Sequence, residues 1–333
     1  MAPGPFVPFR RLPKRTGLVQ NISYAYERVF MPLRVAVVGA GYLGQHHARI
    51  YAEMNEAELA YVVDSDKARA DEVAGRYGCS ARTDYRAVLA DVDVVSVVVS
   101  TTSHFDVARD CLRAGKDVMV EKPITATLSQ ADELVNEAQK ADCILQVGHL
   151  ERYNPGVKVI SEMVDGPRLV EAVRLSPFLN RGCDVDVTLD LMIHDIDIAL
   201  SFIRSPVRRA DAAGFSFVTE KIDEARAWVE FENGAVACFA ASRVSNEKMR
   251  KLSVFQKDGF MELDYQSGIV KRTSSGAGEP ETFRPEFKEP LKEELRDFVR
   301  CVARRERPKV SGVEGRNALA LALEIGSAME KHR

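Results

Sequence analysis

Apolar and polar positions follow two regimes along the chain, and the change comes after Gly148. Before it, short apolar runs rich in β-branched residues alternate with stretches of helical spacing. The runs at 35–38, 59–63, 92–99, 117–120 and 143–147 read as strands. Residues 92–99 are nearly continuous valine, the pattern of a parallel strand buried on both faces. Between the runs, residues 42–53, 66–77, 105–114 and 129–141 read as helices, with Ala70, Val73, Ala74 and Tyr77 at helical spacing in the second. Gly115 stops the third, and Ser129 is the expected cap of the fourth. A short helix opens at Thr83-Asp84-Tyr85 and ends near Leu89. Such alternation predicts an α/β unit built on a doubly wound parallel sheet, with a ligand crevice at the carboxyl ends of its strands.

After Gly148, a helical stretch at 155–164 leads to a strand at 169–175, then a polar loop at 180–186. A helix over 188–204 follows. Hairpins come next: 226–232 turns at Asn233-Gly234 into 236–241, and 251–256 turns at Asp258-Gly259 into 260–264. Residues 274–290 form a loop, and helices at 291–304 and 314–331 close the chain. This half is expected to be α+β, a largely antiparallel sheet with helices on one side. The expected division is an extension over 1–30, a first domain over 31–150 and a second over 151–333. Residues 236–241 are apolar on both faces, so the outer face of that sheet needs a cover. A homo-oligomer formed through the sheet is the expected answer.

The first thirty residues stand apart. They hold Pro3, Pro5, Pro8 and Pro13 and the cations Arg10, Arg11, Lys14, Arg15 and Arg28 against one acid, Glu27. With no apolar core or small-residue cleavage site they do not resemble a secretory signal, and are read as a disordered extension. The net charge of -3 over 333 residues implies no general attraction to nucleic acid or anionic lipid. No apolar run has the length of a membrane span. Cys79, Cys111, Cys143, Cys183, Cys238 and Cys301 are scattered without a C-x-x-C, so neither a disulfide frame nor a zinc site is expected, and the protein is placed in the cytoplasm.

Candidate chemistry begins where the first strand stops. Gly39-Ala40-Gly41-Tyr42-Leu43-Gly44 joins that strand to the first helix. Such a motif uses its first glycine for a tight turn, its second for bare backbone beside a pyrophosphate, and its third for close helix–strand packing. The anion then sits on unpaired N–H groups at the helix start. Asp64 ends the second strand twenty residues after Gly44, where a ribose-binding carboxylate belongs. The expected cofactor is NAD, because Asp64, with Asp66 close behind, repels the 2′-phosphate of NADP; Ser65 and Arg69 could soften that preference. Tyr42 and Leu43 inside the turn, Ser100, Thr101, Thr102 and His104 after the valine strand, Glu121 and Lys122, and Gln146 near the end of the last strand are counted as cofactor contacts. Ser100 equally suits a helix N-cap. His46 and His47 are adjacent on a helix and are taken as structural.

Lys122 lies at a strand's carboxyl end, held out of helical geometry by Pro123. A lysine there can orient a substrate hydroxyl and stabilise a developing alkoxide. The helix at 188–204 is apolar nearly all round, yet contains Asp190, His194, Asp195 and Asp197. Asp190 and His194 are four apart and share a face, which Asp197 joins. An aspartate one turn from a histidine can fix its tautomer and stabilise the imidazolium; a purely structural pair fits the helix equally well. At the junction, Glu151-Arg152-Tyr153-Asn154 offers Arg152 for a diphosphate, Asn154 for an acetamido group, and Tyr153 beside them. The alternative is that Arg152 pairs with a carboxylate. Arg181 and Arg243 are further candidate cations for a diphosphate.

Together these residues resemble the glucose–fructose oxidoreductase / inositol dehydrogenase / MocA (Gfo/Idh/MocA) family over about residues 33–331. The carriers are Gly39-x-Gly41-x-x-Gly44, Glu121-Lys122-Pro123, Asp190-x-x-x-His194, and the closing helices with Pro308 and Gly312 between them. In that family the matching lysine, aspartate and histidine are catalytic on sugar or cyclitol hydroxyls, which favours the acid–base reading of Lys122, Asp190 and His194. The resemblance implies hydride transfer from a ring carbon to NAD. Residues 146–155 and 192–198 are most similar to members that oxidise C3 of UDP-N-acetylglucosamine, so that a pyridoxal-phosphate aminotransferase can install an amine for lipid A. A cyclitol or free sugar is the alternative substrate. A non-catalytic dinucleotide-sensing regulator is the alternative of another class, and the intact Lys122, Asp190 and His194 argue against it. Ser100 stands where many relatives have proline, and residues 1–30 fall outside the family pattern.

Overall fold

The computed structural model describes residues 32–179, 185–276 and 278–330. Residues 1–31, Arg181 and most of the polar loop at 180–186 lie outside them, as does residue 331. The described chain divides into two units.

The first unit is built on a six-stranded parallel sheet of β1 (Leu33–Val38), β2 (Ala57–Val63), β3 (Ser80–Arg82), β4 (Val94–Val97), β5 (Asp117–Glu121) and β6 (Leu145–Gly148), in the order β3-β2-β1-β4-β5-β6. The strand order reverses between β1 and β4, the switch point where a doubly wound sheet opens its crevice. The valines of β1 and β4 are buried because helices cover both faces. Those helices are α1 (Tyr42–Ala52), α2 (Lys67–Tyr77), α3 (Thr101–Arg113) and α4 (Leu128–Ala141). Two starts differ from expectation. Helix α3 opens at Thr101, with Ser100 as N-cap residue. Helix α4 is capped by Thr127, whose side chain accepts from Gln130 N while the Gln130 side chain accepts from Thr127 N. Ser129 falls inside the first turn, because the extended backbone that a cap needs (φ -131°, ψ 153°) is at Thr127.

The second unit holds an eight-stranded sheet. Its strands are β7 (Leu169–Leu175), β8 (Val207–Phe215), β9 (Glu224–Phe231), β10 (Val236–Ser242), β11 (Met249–Gln256), β12 (Gly259–Asp264), β13 (Ile269–Ser274) and β14 (Glu281–Phe283). The order is β14-β13-β12-β11-β7-β10-β9-β8, antiparallel except where β7 runs parallel to β10. The second hairpin turns at Lys257-Asp258, since Gln256 pairs with Gly259. Helices α5 (Pro155–Met163), α6 (Ile193–Ile203) and α8 (Gly312–Glu330) bury their apolar residues with one face of the sheet, Val170, Ala172, Val229, Ala237, Phe239 and Leu252 among them. On the other face Glu171, Val173, Trp228, Cys238 and Ala240 line a broad shallow surface, and Trp228 is 47% exposed.

The division is not one cut near residue 150. Residues 149–290 and those from Asn317 onward form the second unit, while Leu291–Arg316 returns to the first. Helix α7 (Pro290–Arg304) explains the return. Leu295, Phe298, Val299 and Val302 fall on one helical face, and they are buried in the same core as Val35, Val37, Ile50 and Met119.

Candidate active site

The glycine turn has the geometry its motif predicts. Gly39 has φ +102°, and a Cβ there would lie 2.3 Å from Val98 O. A Cβ on Gly44 would lie 1.8 Å from Gly39 O, so the helix approaches the strand as closely as backbone permits. Around Gly41 nothing comes within 4 Å of that position, leaving bare backbone open to a ligand. Helix α1 has neither a side-chain cap nor an acid in its first turn, so its leading N–H groups suit an anion. Tyr42 is 71% exposed beside the turn and meets the His46 ring edge-on at 5.0 Å. Asp64 joins turn to strand: its carboxylate accepts from Ala40 N at 2.8 Å and from Asp66 N at 2.9 Å. Arg69 lies 3.5 Å from Asp64 and 3.2 Å from Asp66. These residues fit a dinucleotide: the open turn would take the pyrophosphate, and Asp64 a ribose.

Other expected contacts sort into two groups. Ser100, Thr101 and Thr102 lie at the start of α3, the Ser100 hydroxyl 3.2 Å from that of Thr102. His104 and Gln146 turn instead to the protein. The His104 ring is buried, with Nδ1 2.8 Å from Pro123 O and Nε2 3.1 Å from Val99 O. Burial lowers its pKa below the ordinary histidine range, outweighing the two carbonyls, which favour the cation. Gln146 is fully buried in β6 and donates Nε2–H to Glu294 O on α7. Neither has the exposure of a nicotinamide contact. His47 is buried, as a structural residue should be, but its partners are Ser96 and Glu121. Lys122 is half-buried, next to a cis peptide to Pro123.

In the second unit the helix at 188–204 is two pieces. Thr188–Met192 is a π-helical turn, with Ile193 N donating to Thr188 O, and α6 continues from it. Wide turns of this kind are frequent at functional sites. Asp190 in the wide turn and His194 just after it are both half-buried. The other two acids are buried and paired. Asp197 lies 3.3 Å from Arg152, and Asp195 accepts a two-pronged contact from Arg174 at 2.9 and 2.8 Å. Asp197 is thereby engaged by Arg152. His149 meets His194 edge-on, ring centres 6.3 Å apart.

The residues expected to read a diphosphate or acetamido group are largely committed. Arg152 faces Asp197, the alternative open from sequence. Asn154 caps α5, accepting from Gly156 N at 2.9 Å. Arg243 is buried and donates to Val185 O and Ile222 O. Arg174 was missed from sequence. It is 2% exposed and bonds Glu151 at 2.9 Å as well as Asp195. Its signal was parity: Val170, Ala172 and Arg174 share one face of β7, the face buried in the core.

An open glycine turn tied to a ribose-side carboxylate defines a dinucleotide-binding protein. Comparison with known proteins places the chain more closely. Residues 33–149 match the model of the oxidoreductase family with NAD-binding Rossmann fold, and residues 172–262 match the GFO/IDH/MocA C-terminal domain. The chain belongs to the Gfo/Idh/MocA family, and its cofactor is a dinucleotide of the NAD type. It is 37% identical over 307 residues to UDP-N-acetylglucosamine 3-dehydrogenase of Acidithiobacillus ferrooxidans, covering 90% of this chain and 97% of that one. The solved structure of that enzyme matches with TM-score 0.87 at 36% identity, over 91% of this chain and 99% of the other. Myo-inositol 2-dehydrogenase of Thermotoga maritima is 27% identical over 90% of this chain and 97% of its own. Among the described residues no helix is long and apolar enough to cross a membrane.

Proposed function

We propose that this protein oxidises the C3 hydroxyl of UDP-N-acetylglucosamine to the 3-keto sugar, with NAD as oxidant. The observation that carries the substrate is the 37% identity, over nearly the whole length of both chains, to the dehydrogenase named for that reaction. Arg152, Asn154 and Arg243 are each engaged by the protein itself and do not carry the substrate. Lys122 orients the hydroxyl and, as a fixed cation, stabilises negative charge on its oxygen. His194 takes the hydroxyl proton and Asp190 holds the ring. Bound NAD supplies the hydride acceptor for the carbon-bound hydrogen, held by Gly39, Gly41, Gly44 and Asp64. The 3-keto product carries the carbonyl that a pyridoxal-phosphate aminotransferase needs, which fits a cytoplasmic step toward lipid A.

Steady-state assays with UDP-N-acetylglucosamine, free N-acetylglucosamine and myo-inositol at matched concentrations test this reading. The UDP-sugar is expected to have the highest kcat/KM. A myo-inositol rate matching it would transfer the reading to a cyclitol dehydrogenase, the class of the 27% identical relative. NAD is expected to exceed NADP in kcat/KM by at least about tenfold, the equivalent of about 1.4 kcal/mol, because Asp64 and Asp66 repel a 2′-phosphate. Equal use of NADP would mean that Arg69, which lies beside both carboxylates, overrides them.

The protein is also expected to be a homo-oligomer joined through the outer face of the second sheet. Trp228, Val173, Cys238 and Ala240 form an apolar strip there that a single chain leaves in water. Light scattering at micromolar concentration should give a multiple of the 37.0 kDa chain mass; the mass of one chain would remove this proposal.

A further inference from the structure

The acid before Lys122 does not face a ligand. Glu121 ends β5 with its side chain 4% exposed, and its two carboxylate oxygens have separate partners. Oε1 lies 3.2 Å from His47 Nε2, and Oε2 accepts the backbone N–H of Lys122 at 3.1 Å. A carboxylate only accepts, so His47 donates through Nε2; its Nδ1 lies 2.8 Å from the hydroxyl of Ser96 on β4. Burial acts to raise the Glu121 pKa, but the His47 bond and the charges of His47 and Lys122 outweigh it and hold the group below the usual carboxylate range. Opposite, Gly148 leaves the room: a Cβ there would lie 2.8 Å from the carboxylate carbon and from both oxygens. On the far side of Lys122, His104 holds the Pro123 carbonyl.

We propose that His47 and Glu121 form a positioning dyad that ties Lys122 to α1, the helix whose N-terminus faces the pyrophosphate site. His47 lies one turn after Gly44 on that helix, so the element that receives the cofactor also sets the backbone of the lysine through one buried carboxylate. Glu121 is thereby removed from the cofactor contacts expected of it and given a different task. The inference builds on the role of Lys122 in the proposed dehydrogenase, yet its structural half stands without any sugar.

Three variants test it: His47→Leu, Glu121→Gln and Gly148→Ala. The first removes the donor, the second keeps an acceptor for Lys122 N–H and can donate to His47 in its other tautomer, and the third keeps both side chains of the dyad but forces the carboxylate out of place. Hydrogen exchange of the peptide covering residues 121–125 should quicken in His47→Leu and Gly148→Ala, and much less in Glu121→Gln, with no sugar present. With the sugar that wild type turns over, kcat should fall by up to about 10²-fold in His47→Leu and Gly148→Ala, since small misplacements of a reacting group have that cost. NAD affinity should hold, and the isotope effect from a deuterium on the oxidised carbon should rise as hydride transfer becomes limiting. Should His47→Leu fail to fold, the double variant His47→Leu/Glu121→Gln removes the buried charge and carries the same expectation. Unchanged exchange in 121–125, or loss of thermal stability with kcat and isotope effect intact, would overturn the dyad. Wild type inactive on every sugar, with exchange behaving as stated, would instead overturn the substrate reading alone.

Discussion

His194→Ala is expected to lower kcat by about 10²–10⁴-fold while the protein stays folded and binds NAD, and Lys122→Ala to do the same. The expectation follows from where the two side chains sit. His194 is half-buried on a helix whose neighbouring acids, Asp195 and Asp197, are already paired with arginines. Its removal breaks neither pair, so the loss should appear in turnover and not in the melting temperature. Lys122 is likewise half-buried. Circular dichroism and NAD titration separate the effects. A folded His194→Ala enzyme with near wild-type kcat would return the π-turn and its Asp190 to a structural role.

Arg174→Met is expected to be the most destabilising single change considered for the second unit, by about 3–5 kcal/mol. Arg174 is 2% exposed and bridges Glu151, in the turn after β6, to Asp195 in the first turn of α6. Without it two buried carboxylates lose the one guanidinium that hydrogen-bonds both of them. Arg250 does not replace it, as its guanidinium lies 4.0 Å from Glu151. Arg174→Lys should cost less but still be felt, since a point charge cannot make the forked contact with Asp195. The triple variant Arg174→Met/Glu151→Gln/Asp195→Asn should recover much of the loss, because buried ion clusters exchanged whole for neutral groups are often neutral in stability. Urea unfolding of the three proteins measures this. A loss below about 1 kcal/mol in Arg174→Met would show that the cluster is hydrated and not a clamp.

The first unit was largely legible because its signals are local. Valines buried on both faces and a glycine turn need no knowledge of distant residues, and β1, β4 and Gly39 to Gly44 stand where the pattern puts them. What was missed there is short or ambiguous: β3 is Ser-Ala-Arg at the sheet edge, and Thr127 and Ser129 are both cap-forming residues two positions apart. In the second unit β8, β13 and β14 escaped because strands near an edge carry polar residues on a half-open surface. The amphipathic pattern of α7 showed that it buries a face, but not that the face belongs to the first core.

The site was less legible, and for one reason. A sequence shows that a charged residue is present but not which partner satisfies it. Arg152 looked available for a diphosphate until Asp197, 45 positions away, proved to face it. Glu121 looked like a cofactor contact until His47, 74 positions away, proved to hold it. Arg174 could have been found from the parity of β7, where a cation falls on a buried face and so demands an acid.

The proposed reaction is one hydride transfer, and isotopic labelling follows it directly. The enzyme should be incubated with NAD and UDP-N-acetylglucosamine deuterated at C3, and both products analysed by mass spectrometry. The account predicts deuterium in the reduced nicotinamide, a 3-keto sugar that has lost it, and a slower rate than with the unlabelled sugar. Deuterium retained in an oxidised sugar, or no reduction of NAD by this substrate while myo-inositol is turned over, would contradict it.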